Sequence, residues 1–295
     1  MMDRVFLALA AAFFLGLAKI FIKRGLVANP YPTVAAVVSL SVNVAFFLTL
    51  VLITSQVIFT GPGIWYFVLA GMLAPGTARI LSYKGVERLG ASIVAPLVSM
   101  ETLFSFGLAI VFLKEKITTL IILGVGSICL GVIILAGETG AQRNILDRFM
   151  RNKRYLLFPL VAAGLYGTSI FLRKLGLDEG QSPIIGATIT SASSWILVTA
   201  LLSRGSIRRD FIQLNRKGVT CFLLSGGCTS LAWLFYFHAL SISKVVSVTP
   251  IVNSHSLITV FLGFIFLKDV ERVNHKIAGG AFLVVLGIFL ISMND

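Results

Sequence analysis

Ile93-Val94-Ala95-Pro96-Leu97-Val98-Ser99-Met100-Glu101 opens an apolar stretch that closes Phe112-Leu113-Lys114-Glu115. Later in the chain, Ser247-Val248-Thr249-Pro250-Ile251-Val252-Asn253-Ser254-His255 opens another that closes Phe266-Leu267-Lys268-Asp269. The two align without a gap, so that the Pro, the Phe-Leu-Lys and the terminal carboxylate coincide. Each copy has roughly the length of one membrane span. An internally duplicated membrane segment points to a transporter with its site between two halves. The alignment also sets Glu101 opposite His255, both at mid-span.

The bulk composition agrees. Hydrophobic residues make up 57% of the 295 residues and charged residues only 13%; mean hydropathy is +0.95. A water-soluble domain carries about 25% charged residues, so this chain lacks the polar surface to face water on all sides. Its apolar runs last about 20 residues, the length of a spanning helix, whereas barrel strands run about 10 residues in strict alternation. The expected fold class is an all-α membrane protein. The formal charge of +13 falls mostly in short loops, where it reports orientation, and nucleic-acid binding is not expected. Cys129, Cys221 and Cys228 lie in apolar runs without metal or disulfide spacing, and read as small packing residues. The first apolar run, from Val5 through Lys19 to Lys23-Arg24, has no cleavage site and reads as a helix rather than a signal peptide.

Ten apolar segments follow one another: 4–26, 33–54, 63–86, 91–113 and 118–137, then 155–177, 183–203, 218–241, 245–267 and 274–293. The first five repeat as the second five. Pro32 opens the second segment as Pro183 opens the seventh. Ile20-Phe21-Ile22-Lys23-Arg24 is matched to Ile170-Phe171-Leu172-Arg173-Lys174, which sets Lys19 opposite Ser169. Arg79 falls opposite Trp233, Tyr83 opposite Phe237, and Leu130-Gly131 opposite Leu286-Gly287. An odd number of spans per half reverses the entry side of the second half. The expected architecture is therefore two five-helix inverted repeats, 1–137 and 155–295, joined by a basic linker at 138–154.

This pattern resembles the drug/metabolite transporter superfamily, and within it the ten-helix EamA-type transporters. The resemblance covers nearly the whole chain and rests on the paired Pro96 and Pro250 segments with their Leu-Lys-carboxylate endings. The Gly-rich fifth and tenth segments (Gly124, Gly126, Gly131; Gly279, Gly280, Gly287) add to it. It implies a secondary transporter of small organic metabolites, often an exporter, as a monomer or homodimer in the cell inner or plasma membrane. It does not name the substrate.

Loop charge runs against the usual family orientation. Lys23-Arg24, Lys84, Arg88, the cations from Arg143 to Arg154, those from Arg204 to Lys217, and Lys268, Arg272 and Lys276 share one side. The other side holds only Arg4, Lys114, Lys116, Arg173, Lys174 and Lys244. Basic loops face the cytoplasm, which places both termini outside, whereas the family usually has both inside.

Ionisable groups at mid-span cost at least about 2.5–3.5 kcal/mol each and call for a partner, water or a function. Lys19, Arg79, Glu101 and His255 are the clearest, with Asn43 and Asn253 as neutral companions. Glu101 and His255 are the candidate proton carriers, since an imidazole titrates near neutral pH. Two cations against one carboxylate favour an anionic or zwitterionic substrate, with an Arg fork suited to carboxylate or phosphate. Tyr83 and Trp233 complete the candidate substrate-binding set. Tyr166, Trp195 and Tyr236 read first as packing aromatics, and His238 and His275 as interfacial residues.

No Gly-rich run precedes a Lys-Ser or Lys-Thr pair, and no metalloprotease or serine-hydrolase motif occurs. Neither an enzyme, a metal site nor a bound cofactor is expected. The alternative kept beside metabolite transport is a flippase for a phosphate-bearing lipid carrier, with Lys19 and Arg79 on the headgroup.

Overall fold

In hydrocarbon every backbone polar group must be satisfied inside its own segment, which leaves a chain this apolar with helices. The computed structural model describes residues 2–54, 61–89, 94, 97–98, 100–113, 118–138, 153–200, 214–266 and 275–292, and every regular element among them is helical. The first repeat contributes α1 (Met2–Ala28), α2 (Pro32–Thr54), α3 (Gly63–Gly71), a π-helical turn (Met72–Thr77), α4 (Ala78–Leu89), α5 (Glu101–Leu113) and α6 (Thr119–Glu138). The second contributes α7 (Lys153–Asp178), α8 (Pro183–Ala200), α9 (Arg216–Ser241), α10 (Val245–Asn253), α11 (His255–Phe266) and α12 (His275–Ser292).

Six spans among the described residues are long and apolar enough to cross a membrane: Arg4–Ala28, Pro32–Thr54, Gly63–Val86, Leu157–Asp178, Pro183–Ala200 and Arg216–Ser241. The protein is an integral, multi-pass membrane protein. Pro32 and Pro183 start α2 and α8, where a missing N–H costs nothing and the fixed φ suits the first turn. Asn215 caps α9 by accepting from the Lys217 N–H at 3.0 Å.

Packing partners exchange between the repeats. α1 packs on α9 and α11, while α7 packs on α3, α4 and α5. α2 packs on α9 as α8 packs on α3; α2 also meets α8, and α6 meets α12. The closest approaches sit at glycines, as expected where helices associate without a hydrophobic driving force. A Cβ on Gly16 would meet Ile258 and the His255 carbonyl, and one on Gly167 would meet Phe104 and the Glu101 carbonyl. Gly25 lies against Phe222 as Gly176 lies against Phe67. Gly71 lies against Ser193 and the Thr190 carbonyl, as Gly226 lies against Val42 and the Ser39 carbonyl.

These pairs correct one sequence alignment. With Gly16 matched to Gly167 and Gly25 to Gly176, Lys19 stands opposite Ile170, one residue from the expected Ser169. Arg173 then stands opposite Ile22. The basic pairs at the helix ends draw the alignment out of register, whereas the packing contacts depend on backbone approach and fix it.

Two kinds of break interrupt the spans. In the third span, Ala74 leaves helical geometry at φ −149° and ψ 129°, beside the buried Pro75. The segment from Gly71 to Arg79 is one residue longer than its counterpart from Gly226 to Trp233, and the break at Ala74 takes up the extra residue. The duplicated stretch also breaks, at the same point in both copies. Met100 N bonds to Leu97 O and Ser254 N to Ile251 O; Leu103 N bonds to Met100 O and Leu257 N to Ser254 O. Glu101 and His255 are consequently the first residues of α5 and α11. Pro96, the Lys114-Glu115 and Leu267-Lys268-Asp269 endings, the 55–60 loop, Arg204 to Arg209 and most of the linker lie outside the described residues.

Candidate functional site

A cavity of about 120 Å³ opens where α1, α4, α5, α7, α9, α10 and α11 converge. One water needs about 10–15 Å³ of such space, so the cavity admits a small organic molecule. Leu15, Ile22, Val86, Val94, Val98 and Ile170 supply aliphatic walls. Lys19, Arg79, Tyr83, Glu101, Trp233, Asn253 and His255, seven of the eight residues singled out in the sequence, line it together. Tyr166, Arg173, Tyr236, Ser225, Thr229 and Thr249 complete its polar lining.

Each charged group is held in its own way. Arg79 is buried, and its Nη1 donates to Ser39 Oγ and to Asn43 Oδ1, each at 3.2 Å. Asn43 in turn donates to the Gly226 carbonyl at 3.0 Å and to Ser230 Oγ at 2.7 Å. Glu101 sits in the fields of Lys19 and Arg173 and near Asn253, at the N-terminus of α5, where a carboxylate is favoured by the helix dipole. The amide of Asn253 donates to Thr102 Oγ1, tying α10 to α5 across the repeats. Asn253 Oδ1 and His255 Nδ1 are buried with no hydrogen-bond partner among the described residues.

Arg173 is the residue that sequence reasoning misplaces. Counted there among cations on the low-charge side, it is instead 2% exposed and lines the cavity. α7 continues past it to Asp178, so Arg173 lies more than a turn inside the helix. Its Nη2 donates to the Ala74 carbonyl at 2.7 Å, and its guanidinium lies 4.3 Å from the Trp233 ring centroid and 5.6 Å from that of Phe237. Lys174, its neighbour, is occupied elsewhere: it pairs with Asp178 at 2.9 Å and donates to the Leu240 carbonyl at 3.3 Å.

Comparison with known proteins places the chain. The family model of the EamA-like transporters matches residues 4–137 and again residues 153–293. The chain belongs to the EamA-like transporter family. A solved protein crystal structure superposes with a TM-score of 0.68 at 10% identity, covering 96% of this chain and 99% of its own; at that identity the likeness is one of fold. No curated protein sequence matches the chain.

In this EamA-like transporter the lining comes from both repeats, and among its described residues three cations face one carboxylate. Asn43 departs from its expected place: it does not line the cavity but forms the polar seat behind Arg79. Polarity at mid-span marks it, yet polarity does not report which face of α2 looks inward. Trp233 does line the cavity, as the aromatic floor under Arg173. The missed Arg173 has one signal in the sequence, the spacing to Gly176, which places it on the inward face once Gly25 and Gly176 are matched.

Proposed function

We propose that this EamA-like protein is a secondary active transporter that moves a small anionic or zwitterionic metabolite, as an exporter, by alternating access at this cavity. The observation that carries the reading is the lining itself. Among the described lining residues, Lys19, Arg79 and Arg173 stand against the single carboxylate Glu101, in a space built from both repeats. Cations in excess over carboxylates in a low-dielectric cavity attract an anionic group, and an Arg fork fits carboxylate or phosphate oxygens. Lys19, Arg79, Tyr83, Glu101, Trp233, Asn253 and His255 are the substrate-contacting set, with Asn43 acting through Arg79. Glu101 and His255 carry protons, which ties transport to a pH gradient.

The same reading takes the chain as ten spans in two inverted repeats, 1–137 and 155–295, linked by 138–154. The exchange of packing partners between halves supports it, as do the matched breaks at Met100 and Ser254. Two repeats of five spans rocking about a central site would expose it to each side in turn. The protein would work as a monomer or homodimer. No observation at the cavity favours the lipid-carrier alternative.

The test is thermal stabilisation of the purified protein across a metabolite panel, followed by uptake of the hits into proteoliposomes. Anionic or zwitterionic compounds should stabilise and be transported; a panel in which only neutral or cationic compounds bind defeats the charge argument. Orientation follows the loop charges, with both termini outside and the membrane being the inner or plasma membrane. A cysteine placed at Arg208 should resist an impermeant thiol reagent added to whole cells, and prompt labelling would reverse the assignment.

A further inference from the structure

We propose that Arg173 is the specificity-determining residue for the anionic group of the cargo, gripping it with a guanidinium that already rests against Trp233. The inference rests on the anionic-cargo reading above and names the side chain that enforces it.

The three cations of the cavity are not equally available. Lys19 and Arg173 both stand in the field of Glu101, Lys19 the more strongly. Arg79 is seated on Ser39 and Asn43. Among the described residues, Arg173 has one hydrogen bond, from Nη2 to the Ala74 carbonyl, and a buried Nε with no partner. The Ala74 carbonyl, freed by the break in the third span, also accepts from Ser169 Oγ at 2.8 Å, a hydroxyl shared with the Ala70 carbonyl at 2.9 Å. If Arg173 turned toward a ligand, the Ala74 carbonyl would keep this shared partner, which lowers the penalty for a stranded buried acceptor.

The aromatic floor explains why this position takes arginine. A guanidinium centred 4.3 Å from the Trp233 centroid is in range of cation–π attraction to that ring. Its remaining donors suit a planar two-oxygen group, and an ammonium offers no such fork. Tyr236, Glu101, Tyr166 and Arg79 all lie close enough to act on Arg173. Two guanidinium groups repel, and an anion placed near both relieves the repulsion. The repeat makes this one-sided: the counterpart of Arg173 is Ile22, which lines the cavity as an aliphatic wall. An anionic end would therefore meet the Arg173–Trp233 side, and the remainder of the cargo the aliphatic side.

Trp233 supplies the readout. Changing Trp65 and Trp195 to Phe leaves it as the single tryptophan of the full chain. Phosphate, acetate and benzoate are titrated against this parent, with chloride holding ionic strength and tetramethylammonium as the cationic control. At least one of the three anions should shift Trp233 emission, and Arg173→Lys should raise the midpoint about tenfold or more, the worth of a charge-assisted hydrogen bond. Because a variant can fail to fold, the unaltered chain gives a second measurement. The bound anion should slow modification of Arg173 by phenylglyoxal, read by mass spectrometry. Anion-driven uptake with an unchanged midpoint in Arg173→Lys, or without protection of Arg173, overturns the assignment and leaves the anionic-cargo reading standing. No anion response in uptake, fluorescence or protection overturns both.

Discussion

Glu101→Gln will lower pH-gradient-driven uptake by about tenfold or more, within the usual range of coupling between two ligands on one protein. It will leave exchange of external for internal substrate largely intact. Glu101 is the one carboxylate among the described residues of the cavity lining, and it begins α5 at the break shared with α11. Its charge answers those of Lys19 and Arg173. A glutamine keeps the shape and the polar contacts but cannot take up or release a proton. If Glu101 couples proton movement to the cargo, net gradient-driven transport needs that proton, while one-for-one exchange does not. The check is parallel uptake into proteoliposomes with and without a pH gradient, and into liposomes preloaded with substrate. Equal gradient stimulation in Glu101→Gln and wild type would remove Glu101 from coupling; loss of exchange as well would make it a binding residue alone. His255→Ala, in the matching place of the other repeat, distinguishes one proton carrier from two by the same pair of assays.

Gly167→Val will destabilise the folded protein by about 3 kcal/mol or more, at the upper end of overpacking penalties, and will be recovered largely as aggregate. A Cβ there would lie 2.5 Å from Phe104 Cβ, 2.7 Å from the Glu101 carbonyl oxygen and 2.9 Å from Ser105 N. Two of those atoms are backbone and cannot step aside, so α7 would have to leave α5. The displaced segment is the one that presents Glu101. Gly16→Val should act likewise through Ile258 and the His255 carbonyl, at 2.8 Å and 3.2 Å. Gly227→Ala is the matched control: nothing lies within 4 Å of its Cβ, and removing a helical glycine should gain about 0.5–1 kcal/mol. Melting temperatures in detergent, with monodispersity by gel filtration, compare the three. A Gly167→Val protein as stable as wild type would mean that α5 and α7 do not pack as described.

Much of the site is legible in the amino-acid sequence. Mid-span charge is costly in a bilayer, so Lys19, Arg79, Glu101 and His255 stand out against an apolar background, and all four line one cavity. Arg173 does not stand out, because it sits beside Lys174 near a helix end, where cations usually reach the headgroups. Asn43 stands out for the right reason but takes a different place, since it satisfies Arg79 rather than the cavity. The break at Ala74 leaves only Pro75-Gly76 as a trace, and a proline does not say which carbonyl it frees or what takes it.

The sequence by itself determined that the chain lives in a membrane, that it is helical, and that it is internally duplicated. Those are consequences of composition, run length and duplication, which need no partner to be read. Only the tertiary structure decided the register of α1 against α7, the seat of Arg79, and the placement of Arg173 on Trp233. The reason is physical. In a water-soluble helix the apolar stripe marks the inward face, but in lipid both faces are apolar, and hydropathy no longer separates them. Which side of a helix faces its neighbours is then set by close approach at glycines such as Gly16 and Gly167 and by single hydrogen bonds such as Arg173 to Ala74. Such contacts exist only once the helices have met.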